Sequence, residues 1–247
     1  MLQFIKRWLP SSDKSGKTPP ALEELRAWAE RRDLPLRPVR DGGGVVVEGR
    51  VGGTAWRLEW GPAQRAYVVG HEVRWRAELD FGSDWQLLVL NRALQEAMER
   101  AVFQQYVEGV QTQIDDQTPP EMRWLVMFPK LNGAELGVLR ETYAACGNGK
   151  SQLQHWLEGP LTKSLAALSL PEQHPLVLMI GRGRLVLRTQ LNDTDEAQIE
   201  ALRRLFETAL REARRVAEQD ASLPQPAPST QPSLWSASTL PREEPRD

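Results

Sequence analysis

The apolar positions change period several times along the chain, and the changes predict alternating helix and sheet. Leu22, Leu25, Trp28 and Ala29 recur at helical spacing. Thr18 is placed to cap that helix, Pro19 suits its first turn, and Leu34-Pro35 ends it. From 36 to 80 the period falls to two. The runs 45–51 and 54–60 flank Gly52-Gly53 and predict a hairpin. Ala66 to Leu79 then alternates at length. Tyr67, Val69, His71, Val73, Trp75, Ala77 and Leu79 are expected on one face, and Glu72, Arg74, Arg76 and Glu78 on a charged outer row. The apolar run over 84–90 precedes a helix over 91–106, with Leu94, Met98, Ala101 and Val102 on its buried side.

In the second half, Arg123 to Phe128 is apolar on both sides and predicts a central strand. Asn132 is expected to cap a helix reaching Ala145, which Cys146-Gly147-Asn148-Gly149 would break. Two short helices, 151–158 and a second piece running to 168, are divided by Gly159-Pro160. The runs 176–180 and 185–189 flank Gly181-Arg182-Gly183 and predict a second hairpin. The longest helix opens at Asp193, with Glu196 in capping-box position. Its stripe is Ile199, Leu202, Leu205, Phe206, Ala209, Leu210, Ala213 and Val216. Glu200 and Arg204, and Glu207 and Arg211, are spaced to pair along it.

These patterns predict an α+β fold: an antiparallel sheet with packed helices, as one continuous sheet or as two similar α/β lobes. The lobes would be 20–110, helix plus antiparallel sheet plus helix, and 120–219, with the order β-α-α-β-β-α. The order helix, three strands, helix is similar to that of small adaptor and secretion-chaperone folds, an analogy of element order alone. Residues 1–19 read as a basic amphipathic arm and linker. Leu2, Phe4, Ile5, Trp8 and Leu9 share one helical side, opposite Lys6 and Arg7. Docking on the body and membrane contact through residues 1–10 are both open to such an arm. Residues 220–247 are rich in Pro and Ser and too poor in apolar side chains to order themselves, which predicts a disordered tail. Leu234-Trp235 is its apolar exception and a candidate docking pair.

Composition narrows the function classes. The 247 residues carry a net charge of −2, unevenly spread. Lys6, Arg7, Lys14 and Lys17 against Asp13 make the first 19 residues basic, and the body is mildly acidic. No nucleic-acid partner is expected of such a molecule as a whole. A single cysteine excludes a disulfide within the chain. No apolar run is long enough to span a membrane, and MLQFIKRWLP is too short for a signal-peptide core, so a cytoplasmic location is expected. Nine tryptophans sit mostly among apolar neighbours, which predicts large packing residues in a core.

Candidate chemistry is sparse. Gly149-Lys150-Ser151 has the ending of a phosphate-binding loop, but the glycine required five positions before Gly149 is Ala144. His71-Glu72 lacks the second histidine of a zinc helix, because that position is Trp75. Cys146 has no base placed beside it and reads as a small buried residue. Asp115, Asp116 and Glu121 could hold a cation, but acids in a polar loop are more commonly solvated. The arginines are the strongest group. Arg182, Arg184 and Arg188, joined by Arg74 and Arg76, could line an anion-binding surface, since the planar guanidinium fork matches carboxylate and phosphate. Internal pairing with Glu72 and Glu78 is the competing explanation. No catalytic residue, metal ligand or cofactor is assigned. The leading expectation is a non-enzymatic interaction protein of adaptor or chaperone-like character, with a protein partner bound by a sheet edge, groove or tail. The alternatives are a small-anion binder using the arginine strand, and an enzyme without a recognisable motif.

Overall fold

The computed structural model describes residues 19–39, 43–81, 84–107, 118–171, 173–193 and 196–222, with the backbone alone at 105–107. The N-terminal arm, Thr18, Asp115, Asp116 and the tail pair Leu234-Trp235 lie outside the described residues. The fold is α+β. Its elements are α1 (Pro20–Glu30), β1 (Leu36–Pro38), β2 (Val45–Val51), β3 (Thr54–Pro62), β4 (His71–Glu78), β5 (Leu87–Asn91), α2 (Arg92–Val107), α3 (Pro120–Met127) and α4 (Gly133–Leu136). A 3-10 turn (Gly137–Leu139) leads to β6 (Tyr143–Gly147), α5 (Lys150–Leu157), α6 (Pro160–Ala167), β7 (Leu176–Gly181), β8 (Arg184–Gln190) and α7 (Glu196–Ser222).

All eight strands form one sheet, ordered β1-β2-β3-β4-β8-β7-β5-β6, and every pairing is antiparallel. The sheet is therefore continuous. Strand β5, from the first half of the chain, pairs only with β6 and β7 from the second. Both expected hairpins form. Gly52 and Gly53 turn the first with positive φ, and Arg182 and Gly183 turn the second in the same way.

One face of the sheet is predominantly apolar. Trp56, Leu58, Trp60, Val73, Trp75, Leu185 and Leu187 pack there under α1, α5, α6 and α7. Helix α7 lays its expected stripe on this face, every residue of it buried. Trp28 and Trp156 are fully buried, and the Trp156 indole donates to the Ala209 carbonyl at 2.9 Å, tying α5 to α7. The five tryptophans of the strand regions and of 124 are buried, as expected of packing residues. The opposite face is divided. Over β5, β6 and β7 it is apolar and covered by α2 and α3, through Leu94, Met98, Trp124 and Leu125. Over β1 to β4 and β8 it is mostly polar, and neither hydrophobic cluster of the described residues extends onto it.

Four expectations are corrected. Residues 123–128 are helical, not a strand: Pro119-Pro120 sets the first turn, and Glu121, Trp124 and Leu125 are buried at helical spacing. The helix capped by Asn132 stops at Leu136, because Gly137 takes a φ of 54°, and 143–147 is a buried strand instead. The capping box at Asn132 itself is present. The long alternating strand begins only at His71. Gly70 has a φ of 82°, and Tyr67 and Val69 belong to the connection before it. Finally, Glu207 pairs with Arg203, not with Arg211, whose guanidinium bonds Thr208.

Candidate functional site: an arginine-bearing sheet face

Strand alternation and register decide which side chains share this mostly polar part of the face. Arg57 lies opposite Arg76, Glu59 opposite Arg74, Arg74 opposite Arg188, and Glu78 opposite Arg184. With Arg37, Glu48, Arg50 and Glu72 on the same side, the face carries seven arginines against four glutamates. The molecule is acidic as a whole, so this surplus is local.

Directly opposed like charges disfavour a sheet, and carboxylates between the arginines offset that cost. Glu59 is shared by three guanidiniums: Arg74 and Arg76 bond it, and Arg57 Nε lies at 3.0 Å. Burial opposes its charge, but Arg74, Arg76 and Arg57 together hold its carboxyl below the ordinary range. Arg188 Nη1 lies 2.6 Å from Glu72 Oε1, and both side chains are buried. Among the described residues, Arg188 Nε has no hydrogen-bond partner. Arg184 Nε meets Glu78 at 2.8 Å on the surface.

The five arginines singled out by sequence thus separate into three kinds. Arg74 and Arg188 are 14% and 7% exposed and are consumed in ion pairs with Glu59 and Glu72. Arg76 and Arg184, 37% and 53% exposed, can reach a ligand. Arg182 stands in the hairpin turn, so it does not share the strand face. Arg57 belongs to the group and escaped the sequence reading. Its signal was available: it sits midway along the first hairpin, on the side opposite Trp56 and Leu58.

Arg57, Arg76 and Arg184, with Arg50, border a groove of about 760 Å³. Partly exposed Leu34 and exposed Pro35 add apolar surface, and Glu48 and Glu78 also line the groove, directly opposite Arg57 and Arg184 in the sheet. A second cleft of about 380 Å³ adjoins it, between Arg57, Glu59, Arg74 and Gln64. Gly61 occupies a polar-face position there and contributes no side chain.

Where the polar face meets α3, a buried cluster closes it. Glu121 is fully buried and accepts from Arg65 Nε and the Tyr67 hydroxyl, each at 2.6 Å. Burial opposes ionisation of Glu121, but Arg65, Tyr67 and its own backbone N–H outweigh it and hold the carboxyl low. Burial and the Glu121 charge push the Tyr67 hydroxyl well up. The solvated reading of Glu121 is therefore overturned: it is the anchor of the 63–70 connection.

The remaining candidates do not assemble. Cys146 is buried in β6, and desolvation pushes its thiol up to about 12, the opposite of an activated nucleophile. His71 stacks on Trp60 at 4.4 Å between ring centres, and His174 Nε2 lies 2.9 Å from the Gln190 carbonyl oxygen. No group of side chains able to hold a metal ion occurs among the described residues. The segment before Gly149 is a strand, not a helix, yet Lys150 is held by Glu135 at 2.6 Å. None of the described helices is long and apolar enough to cross a membrane.

No protein-family model matches the chain, and no curated protein matches it. Among solved structures, the mycobacterial trehalose monomycolate transport factor A resembles it at a TM-score of 0.47 and 8% identity, over 78% of this chain and 94% of that one.

Proposed function

We propose that this chain is a non-enzymatic interaction protein of adaptor or chaperone-like character, which engages an acidic protein partner through the mostly polar part of its sheet. The supporting observation is the charge of that face, where seven arginines meet four glutamates and one carboxylate is shared by three guanidiniums. A local surplus of one sign steers a partner of the other sign and fixes its orientation. The sheet edges are poorer candidates. Strand β1 is three residues long and ends in Pro38, which blunts it. The outer side of β6 already bonds residues 129–131, through Leu131 N to the Ala145 carbonyl and Gly147 N to the Pro129 carbonyl.

The test is binding of a labelled polyglutamate peptide to the full chain by fluorescence anisotropy. Saturable binding is expected, weakening as salt rises. The charge-reversed Arg57→Glu/Arg76→Glu protein should lose it. A folded wild-type chain that ignores polyglutamate would refute the proposal. Inorganic phosphate or citrate binding as tightly as the peptide would favour the small-anion alternative instead.

A further inference from the structure

Resting on that reading, we propose that Arg57, Arg76 and Arg184 form a carboxylate-reading groove for an extended peptide segment with acidic residues at alternate positions. Arg57 meets Glu59 through Nε, Arg76 meets it through Nη2, and Arg184 meets Glu78 through Nε. Among the described residues, both Nη atoms of Arg57 and of Arg184, and Nε and Nη1 of Arg76, have no partner. A guanidinium binds carboxylate most strongly through two parallel N–H bonds, and Arg57 and Arg184 keep their terminal pairs free for that.

Arg57 and Arg76 face each other across β3 and β4. Two like charges in that position repel, and Glu59 offsets only part of the repulsion because it also serves Arg74. A second carboxylate laid between them completes the neutralisation. Arg184 is the diagonal neighbour of Arg76, two residues from its partner Val186. Diagonal positions across two strands are about 7–8 Å apart. Same-face side chains in an extended peptide repeat at about 6.6 Å, two residues of strand rise. One carboxylate at the Arg57–Arg76 pair therefore brings the next same-face carboxylate to Arg184. The residue between them points the other way, and apolar residues along the segment can use the surface of Leu34 and Pro35. Glu48 and Glu78, directly opposite Arg57 and Arg184 in the sheet, repel carboxylates that miss the guanidiniums.

The experiment compares two labelled peptides of identical composition on the full chain: glutamate alternating with serine, and glutamate in one block. The alternating peptide is expected to bind more tightly. Arg57→Ala, Arg76→Ala and Arg184→Ala should each weaken it about tenfold, the loss of a charge-assisted hydrogen bond. Arg26→Ala, an exposed arginine on α1, should leave it unchanged. Circular dichroism verifies that each variant is folded. Equal binding of the two peptides, or alternating-peptide binding unaffected by the three substitutions, overturns the groove while leaving an acidic-partner surface in place. Failure of the wild-type chain to bind either peptide overturns both.

Discussion

Glu200 shows how single residues tie the body together. It accepts from Trp28 Nε1 at 3.3 Å and from Arg203 and Arg204, and Arg32 Nε lies 3.0 Å away. The hydrogen bonds from Arg203 lead the other arginines and Trp28 in lowering its carboxyl from 4.5 to about 2, against the opposing effect of burial. The folded chain therefore takes up this proton less readily than the unfolded chain. Its contribution to stability is complete above pH 4.5 and is lost as pH falls toward about 2. Thermal melts across that interval should show falling stability, and Glu200→Gln should flatten the slope. A variant with the wild-type slope would remove Glu200 from the acid response. At the same scale, burial separates arginines that no sequence pattern distinguishes. Arg74 and Arg76 are two positions apart on one strand, yet one is enclosed by Glu59 and Gln64 and the other keeps nitrogens free.

At the scale of elements, the covering helices depend on a few large contacts. Trp156 is the clearest, fully buried and bonded to α7. Trp156→Ala should cost about 3–5 kcal/mol, read as a lower denaturation midpoint at unchanged slope. Phe103→Ala, at an exposed position on α2, should stay within about 0.5 kcal/mol of wild type. Equal effects at both positions would contradict the assigned core. Elements with strong local signals were legible in the sequence: both hairpins, the stripe of α7, and the break at Gly159-Pro160. Two were not. In α3 a run of β-forming residues outweighed the helix start at Pro119-Pro120-Glu121, whose buried partners Arg65 and Tyr67 are remote in sequence. In β6 the run Tyr-Ala-Ala-Cys-Gly has no strand preference of its own. Small residues are required there by the packing, since a Cβ on Gly147 would lie 2.8 Å from the Gln86 carbonyl oxygen. Tertiary contacts decided both, and one sequence does not display them. The same holds for the candidate site. Its charged row on β4 was visible, but the alignment of Arg57, Arg76 and Arg184 depends on β8 pairing with β4.

For the whole molecule, the strand order has a functional consequence. Inserting β8 and β7 between β4 and β5 joins the two halves and places arginines from both on one surface. Helices α2 and α3 cover the far end of that side, ending at Gly181, where an added Cβ would lie 2.5 Å from the Trp124 ring. Beyond that boundary the sheet is charged, and neither hydrophobic cluster of the described residues extends onto it. The most direct measurement is a nuclear magnetic resonance titration of the isotope-labelled full chain with the alternating acidic peptide, following backbone and arginine Nε–H signals. Shifts confined to residues 34–35 and to β2, β3, β4 and β8, with the Nε–H signals of Arg57, Arg76 and Arg184 moving at one common affinity, are the predicted result. Shifts on α1, α5, α6 or α7 with a silent sheet face, or no shifts at saturating peptide, would contradict the assignment of this face as the binding surface.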